Sequence, residues 1–172
     1  MTALDWTHHL RELAAAPLEV ARKADAAQCI AVAAHLEVVS CEGLEAHYTL
    51  RGLSGRKAAL SGRVDAAITQ SCVVTLEPVS STLSKTFALE LWPAEDAAVL
   101  AQGAGDVFAD DTIEAVDNDV IDIGRILLDQ LADLIDRYPR APGATFSWTD
   151  AKAAASDSGN PFAKLKNLGR RS

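Results

Sequence analysis

A series of strand-like runs between residues 36 and 92, joined by connections of only a few residues, constrains the fold of this chain more than any other feature. Glycine or proline separates the runs, as is typical of consecutive strands. The runs are 36–41, 44–53, 58–71 and 82–92. Parallel neighbours would need crossover connections of about a dozen residues, which these spacings exclude. We therefore expect an antiparallel β-meander or a partly closed, barrel-like sheet.

Two helices are predicted, one before this series and one after it. Asp25 is a good N-cap and precedes an alanine-rich stretch, which predicts a helix over residues 25–35, after a short strand at 18–23. A second helix is predicted over residues 122–137, because apolar residues recur there at helical spacing. They are Ile123, Ile126, Leu127, Leu131, Leu134 and Ile135. Their broad apolar face must pack on the sheet, so the predicted fold class is α+β.

The sequence predicts one α+β domain over residues 1–148, followed by a linker and a tail. Residues 149–159 are small and polar with little to bury, and we expect a flexible linker. Residues 160–172 form a short, basic, amphipathic tail that opens with Asn160 and Pro161, as a helix does. Its apolar residues are Phe162, Leu165 and Leu168, and its basic residues are Lys164, Lys166, Arg170 and Arg171. The tail can dock on a partner or on its own domain, and the sequence leaves both open.

The net charge is −8, and the acidic residues are concentrated in the middle of the chain. Residues 86–124 contain ten aspartates and glutamates but neither lysine nor arginine. This balance gives no general attraction to a phosphate backbone, so we expect no binding to DNA. Asp110, Asp111 and Glu114 could collect a divalent cation, but their spacing matches no calcium-binding loop. A solvated acidic loop is the favoured interpretation.

The search for membrane, metal and catalytic features in the sequence is largely negative. No apolar run is long enough to cross a bilayer and no signal peptide is recognisable, so we expect a cytoplasmic protein. Cys29, Cys41 and Cys72 are odd in number and widely spaced, which argues against disulfides and against a self-contained zinc site. No phosphate-binding loop, metalloprotease spacing or nucleophile elbow occurs. We expect no cofactor, no bound metal and no enzymatic activity.

Four short motifs follow one another along the chain. They are Cys72-Val-Val-Thr-Leu-Glu-Pro-Val79, Ile121-Asp-Ile-Gly124, Tyr138-Pro-Arg-Ala-Pro-Gly143 and Asn160-Pro-Phe-Ala-Lys-Leu-Lys166. In order and spacing they resemble the YceD family of large ribosomal RNA subunit accumulation proteins, in its alphaproteobacterial form. The resemblance implies a factor that large-subunit ribosomal RNA needs in order to accumulate, and it implies no catalytic residues.

The resemblance and the acidic composition together indicate a ribosome-biogenesis accessory protein. It would act as an adaptor for a basic ribosomal protein of the large subunit, or for a pre-ribosomal particle that contains the large-subunit ribosomal RNA precursor. The residues expected to contact the partner are Glu77, Pro78, Asp110, Asp111, Glu114, Phe162, Lys164, Leu165, Lys166, Leu168, Arg170 and Arg171. Cys72 and Leu76 are expected to be structural, with Cys72 a small buried hydrophobe. The alternative is a metal-dependent or small-ligand enzyme that uses the acidic loop at 106–122.

Two details of the Leu-Glu-Pro motif bear on these expectations. Many YceD relatives carry a second cysteine three positions after the first, and Thr75 occupies that place here, so a four-ligand zinc site cannot be completed. Pro78 lacks an amide proton and ends or bulges its strand, which favours an extended conformation at Glu77. Glu77 can bond across the turn or face a partner, and the sequence does not choose between the two.

Overall fold

The structure is a computed structural model that describes residues 3–13, 16–103 and 113–146. The chain divides into two compact units, Met1–Pro142 and Gly143–Ser172. Only residues 143–146 of the second unit are described, so the architecture below is that of the first. The predicted linker and tail lie outside the described residues, and the predicted domain boundaries stay predictions.

Seven strands and three helices make up the described part of the chain. The strands are β1 (Thr7–His9), β2 (Leu18–Lys23), β3 (Ser40–Leu53), β4 (Lys57–Ser71), β5 (Pro78–Pro93), β6 (Ile113–Val116) and β7 (Val120–Asp122). The helices are α1 (Ala26–His35), α2 (Ala94–Gly103) and α3 (Ile123–Ala132).

The main sheet has the strand order β2-β3-β4-β5-β6, and its first four strands pair antiparallel. The predicted α+β class and antiparallel meander are confirmed, in a sheet that is not closed into a barrel. Strand β6 pairs parallel with β5, over residues 90–93 of β5. Helix α2 begins directly after β5 and supplies part of the crossover that a parallel neighbour needs. Strands β1 and β7 form a separate two-stranded antiparallel sheet.

The sequence did not predict three features of this part of the fold, one of which is β6, in the stretch expected to be a solvated acidic loop. The runs at 36–41 and 44–53 were expected as separate strands, but a single strand, β3, begins at Ser40 and continues past a register shift between Cys41 and Gly43. A β-bulge absorbs one extra residue without ending the ladder, so Gly43 does not form a turn. Helix α2 is not predicted either, because much of its apolar content is alanine, which gives a weak periodic signal.

The two predicted helices exist, with one corrected boundary. Asp25 caps α1, since its carboxylate accepts a hydrogen bond from the Gln28 N–H at 2.8 Å and the Gln28 side chain bonds back to Asp25. The helix predicted to reach residue 137 ends at Ala132 instead. Beyond it, Leu134 and Ile135 donate to carbonyls three residues back, which tightens the chain out of the α-helix.

The core lies between one face of the main sheet and the helices α1 and α3. Alternate residues of β3 are buried, as expected for a strand with one solvated face. The buried β3 residues of this series are Leu44, Ala46, Tyr48 and Leu50. Helix α1 contributes Cys29, Val32 and Ala33, and α3 contributes Ile123, Ile126, Leu127, Leu128 and Leu131.

Gly124, the last residue of the Ile-Asp-Ile-Gly motif, joins α3 to the N-terminal segment. Its N–H donates to the Trp6 carbonyl at 3.2 Å. A Cβ at this position would clash with the Leu4 carbonyl oxygen and lie 2.8 Å from the Leu4 Cβ. Only glycine permits so close an approach of the two backbones, which gives a physical reason for this motif.

Candidate functional site at the turn between β4 and β5

The turn from Cys72 to Glu77 connects β4 to β5 and contains most of the Leu-Glu-Pro motif. The Cys72 N–H donates to the Glu77 carbonyl at 2.8 Å, and the Leu76 N–H donates to the Cys72 carbonyl at 3.0 Å. The Ser71 hydroxyl donates to the Leu76 carbonyl at 3.2 Å. These bonds satisfy the main-chain groups locally, so the loop has a defined shape although most of its side chains other than Cys72 are not buried.

The Cys72 thiol is the acceptor at the centre of the turn. Its Sγ accepts hydrogen bonds from the main-chain N–H groups of Val74 and Thr75, both at 3.4 Å, and of Ala141 at 3.2 Å. The side chain is buried, as expected. It is not merely a small hydrophobe, however, because three donors converge on one sulfur atom.

This arrangement lowers the pKa of Cys72 from 9.0 to about 6. The first cause is the Thr75 hydroxyl, followed by the N–H groups of Ala141 and Thr75, and together they outweigh burial, which acts in the opposite direction. The Thr75 hydroxyl has only one proton to donate, and it lies 3.1 Å from the Glu77 carboxylate, which competes for that proton. The main-chain N–H groups have no such competitor and are the more constant donors to the sulfur. These donors favour the thiolate form of Cys72 over the neutral thiol.

The segment after α3 closes over this turn. The Val73 N–H donates to the Pro139 carbonyl at 2.9 Å, next to the bond from Ala141 to Cys72. The Gln70 side chain, near the end of β4, donates to the Asp136 carbonyl at 2.8 Å. Two motifs that are 69 positions apart in sequence are thereby joined into one structure.

Three apolar side chains are exposed on the turn and on the segment that follows α3. They belong to Val73, Leu76 and Tyr138, and we call them the turn patch. Leu76, which was expected to be structural, is instead 77% exposed, and Tyr138 is 71% exposed. Leu76 also has a φ of 63°, in the left-handed region that a leucine rarely adopts. An exposed leucine in a strained conformation contributes little to folding, which makes the patch a candidate contact surface.

Glu77 bonds locally, which is one of the two alternatives left open by the sequence. The Glu77 carboxylate accepts a hydrogen bond from the Thr75 hydroxyl at 3.1 Å. The Glu77 N–H donates to the oxygen of that hydroxyl at 3.4 Å. Pro78 lies opposite Ser71 and is exposed, as is Glu77. Both side chains are accessible beside the turn patch, and their contact with a partner stays a prediction.

A sequence model of the large ribosomal RNA subunit accumulation protein YceD matches residues 60–169, more than half of the chain. The chain belongs to the YceD family. No curated protein and no solved structure matches it. The matched region runs from within β4 to beyond α3, so it contains both motifs that build the turn. Strands β1, β2 and β3 and helix α1 precede the matched region.

The acidic residues predicted to form a site are only partly within the described residues. Glu114 lies on β6 and forms an ion pair with Arg125 of α3, which also pairs with Asp129 at 3.2 Å. Glu114 thus links β6 to α3. Asp110 and Asp111 lie outside the described residues. Over residues 3–13, 16–103 and 113–146, no group of three or more His, Cys, Asp or Glu side chains could hold a metal ion.

The predicted tail contacts also lie outside the described residues. They are Phe162, Lys164, Leu165, Lys166, Leu168, Arg170 and Arg171. Among the helices that can be described, none is long and apolar enough to cross a membrane.

Sequence reasoning assigned no role to Val73, Gln70, Tyr138 or the Ala141 amide at this site. In the sequence, the Tyr138 motif served only as one part of the family resemblance. The sequence contained one indication that the Cys72 and Tyr138 motifs act together, because both contribute to the same family resemblance. A shared resemblance does not show contact, because the pairing depends on how α3 packs across the sheet.

Proposed function

We propose that this protein is a cytoplasmic accessory factor of ribosome biogenesis that supports the accumulation of large-subunit ribosomal RNA as a non-catalytic adaptor. The turn patch is the observation that carries the proposal, because it is built from two motifs of the YceD family and presents exposed apolar side chains. Its role is to contact a component of the assembling large subunit.

The energetics of the turn support a binding role. A leucine in the left-handed region costs about 1–2 kcal/mol of conformational energy. Because the Leu76 side chain is exposed, burial of apolar surface does not offset this cost. The hydrogen bonds around Cys72 fix the backbone on either side and hold Leu76 in this conformation. A preorganised apolar side chain loses little conformational entropy when a partner covers it.

The charge of the chain favours a basic ribosomal protein of the large subunit as the direct contact. A net charge of −8 attracts a lysine- and arginine-rich protein and repels a bare phosphate backbone. Large-subunit ribosomal RNA then accumulates because the adaptor assists the protein that stabilises it. The predicted contacts of Glu77, Pro78, Asp110 and Asp111 with that protein belong to this proposal, as do contacts of the basic tail with RNA phosphates of the same particle.

The enzyme alternative receives no support from the described residues. Of the acidic loop at 106–122, Glu114 is committed to Arg125, and Asp119 pairs with Arg56 at 2.6 Å. A carboxylate held by a cation is poorly placed to act as a general base or as the ligand of a labile metal. We therefore favour the adaptor.

Replacement of Leu76 tests this proposal. Leu76→Asn keeps a residue that tolerates the left-handed conformation but removes the apolar side chain. Ile30→Gln is the matched control, because Ile30 is 73% exposed on α1, outside the region matched by the family. Both variants should fold, since neither side chain is buried.

The measurements are capture of large-subunit proteins from lysate, with and without ribonuclease, and the amount of large-subunit ribosomal RNA in cells that carry each variant. We expect Leu76→Asn to reduce both by about tenfold, in the range typical of a central contact residue, and Ile30→Gln to reduce neither. Capture that is lost with ribonuclease would identify RNA as the direct contact. Normal ribosomal RNA in cells that lack the protein would overturn the proposed function.

A further inference from the structure

One side of strand β5 is open along most of its length. Strand β4 pairs with β5 over residues 78–91, but β6 pairs only with residues 90–93. Within the described residues, nothing pairs with the other side of β5 between Val79 and Leu89. This length is enough for an added strand of nine residues, about 30 Å long.

The register shows which residues direct their main-chain groups to this open side. In an antiparallel pair, opposite residues alternate between exchanging two hydrogen bonds and exchanging none. The Cys72 N–H bonds to the Glu77 carbonyl, and Ser71 lies opposite Pro78, which has no N–H to give. The bonded pairs are therefore Gln70 with Val79 and every second pair after it, without a register shift. The residues whose N–H and C=O groups face away from β4 are Ser80, Thr82, Ser84, Thr86 and Ala88.

The first half of this edge lacks the features by which natural sheets block further pairing, and Lys85 is the single charged residue between Val79 and Leu89. Exposed edges are usually short, charged, bulged or interrupted by proline. Strand β2, the opposite edge, fits that description with six residues that include Glu19, Arg22 and Lys23. Residues 79–84 of β5, by contrast, contain no charge and no proline, and the pairing with β4 contains no bulge.

The side chains along the edge do not cover it either. The Ser80 hydroxyl lies 3.0 Å from the Thr69 hydroxyl of β4, so it is turned inward along the sheet surface. Between β5 and α3 there is a cleft of about 520 Å³, lined by residues 85–89 of β5 and by Gln130 and Asp133 of α3. Side chains of an added strand could enter this cleft.

The surroundings of the edge carry a net negative charge. Five carboxylates and three cations flank the edge strand and the adjoining face of α3. They are Asp65, Glu90, Glu114, Asp129 and Asp133, against Arg63, Lys85 and Arg125. Asp133 is 67% exposed although it pairs with Lys85 at 2.8 Å. A second copy of this acidic chain would be repelled here, whereas a lysine- or arginine-bearing strand would be attracted.

We propose that the open edge of β5 receives an extended, basic segment of a protein partner as an added β-strand. The proposal rests on the proposed function, which it deepens by assigning the mode of recognition. Main-chain bonds to Ser80, Thr82, Ser84, Thr86 and Ala88 supply affinity, and the flanking carboxylates select a cationic sequence. The edge begins two residues after Pro78, so a bound strand is continuous with the turn patch.

The probe is a nine-residue peptide in which lysine and valine alternate. A second peptide has glutamate in place of lysine, and a third is the lysine peptide with every other amide N-methylated. Affinity is measured by fluorescence anisotropy, and protection of individual amides by hydrogen exchange in NMR. The wild-type full chain is used throughout, so the comparison of peptides does not depend on any variant.

Thr82→Pro and Thr82→Ala form the matched pair on the protein. Proline removes the N–H that faces the open edge without removing a bond to β4, and alanine removes only the side chain. We expect Thr82→Pro to weaken binding of the lysine peptide by about tenfold, and Thr82→Ala by less than about twofold. The amides of Thr82, Ser84 and Thr86 should exchange rapidly in the free protein and become protected by the peptide.

Several results would overturn the inference. Protection of these amides in the free protein would show that another segment of this chain, or a second copy if the mass is doubled, already covers the edge. Equal binding of the glutamate peptide or of the N-methylated peptide would show that charge or main-chain bonding is not the basis. Cells in which Thr82→Pro leaves ribosomal RNA normal, while loss of the protein lowers it, would refute strand addition and leave the proposed function standing.

Discussion

At the scale of single residues, the buried thiols of Cys72 and Cys41 show how main-chain donors set acid–base behaviour. Burial raises the pKa of Cys41 to about 11, with a further contribution from Cys29. Three N–H donors and the Thr75 hydroxyl lower the pKa of Cys72 to about 6. Removal from water does not by itself decide the charge of a thiol, because hydrogen bonds to the sulfur can outweigh it.

The lowered pKa of Cys72 predicts a pH dependence of stability. The folded-state value is about 6 and the ordinary value is 9.0, so the thiolate stabilises the fold fully above about pH 9, and this contribution is lost as the pH falls through about 6. We expect Cys72→Ala to lower the free energy of unfolding more at about pH 8 than at about pH 5.5, in urea denaturation.

Cys41→Ala is the control for this experiment. Because burial raises the pKa of Cys41 to about 11, its ionisation in the folded state lies outside the tested window. Its cost should therefore change little between the two conditions. An equal pH dependence for both variants would contradict the assignment of the effect to the donors around Cys72.

At the scale of elements, close backbone contact positions α3 against the N-terminal segment. The β1–β7 pair ends where α3 begins, and Gly124 of α3 lies directly against Leu4. Helix α3 in turn contacts β5 and is followed by the segment that closes over the Cys72 turn. The placement of this one helix therefore decides whether the candidate site can form.

Alanine at Gly124 should consequently be costly. The added Cβ would meet the Leu4 backbone, which cannot move aside as a flexible side chain can, and we expect a loss of about 1–3 kcal/mol in the free energy of unfolding. Gly43→Ala is the matched control, since no atom lies within 4 Å of a Cβ there. Its effect should stay within about 0.5 kcal/mol. Equal effects in urea denaturation would show that the close approach is not limiting.

At the scale of the whole molecule, the charge is divided along the chain between an acidic middle and a basic end. Residues 86–124 carry ten acidic residues and no basic one, whereas residues 158–172 carry four basic residues and no acidic one. The YceD family model matches residues 60–169, which include the whole acidic segment and most of the basic one. The sequence of one chain thus contains a segment that attracts basic groups and a segment that attracts acidic groups.

Truncation after Gly159 tests the contribution of the basic end. We expect an unchanged melting temperature and weaker, less salt-dependent association with large-subunit particles, because Lys164, Lys166, Arg170 and Arg171 are removed. A full-length chain with a scrambled order of residues 160–172 separates charge from motif. A lower melting temperature on truncation would show that the tail docks on its own chain.

The sequence by itself determined those parts of this protein that depend on neighbours along the chain. Short connections required antiparallel pairing of β3, β4 and β5, and Asp25 as an N-cap fixed the start of α1. The family resemblance also came from the sequence, because motifs retain their order whatever the fold does with them.

Only the tertiary structure decided the features that require distant segments to meet. Ala141 donates to a thiol 69 positions away, β6 leaves most of β5 open, and Leu76 is held at a positive φ. None of these has a local signal, since each depends on how α3 and the crossover after β5 pack against the sheet. Packing geometry is a property of the whole set of contacts, and periodicity records only which face of each element will be buried.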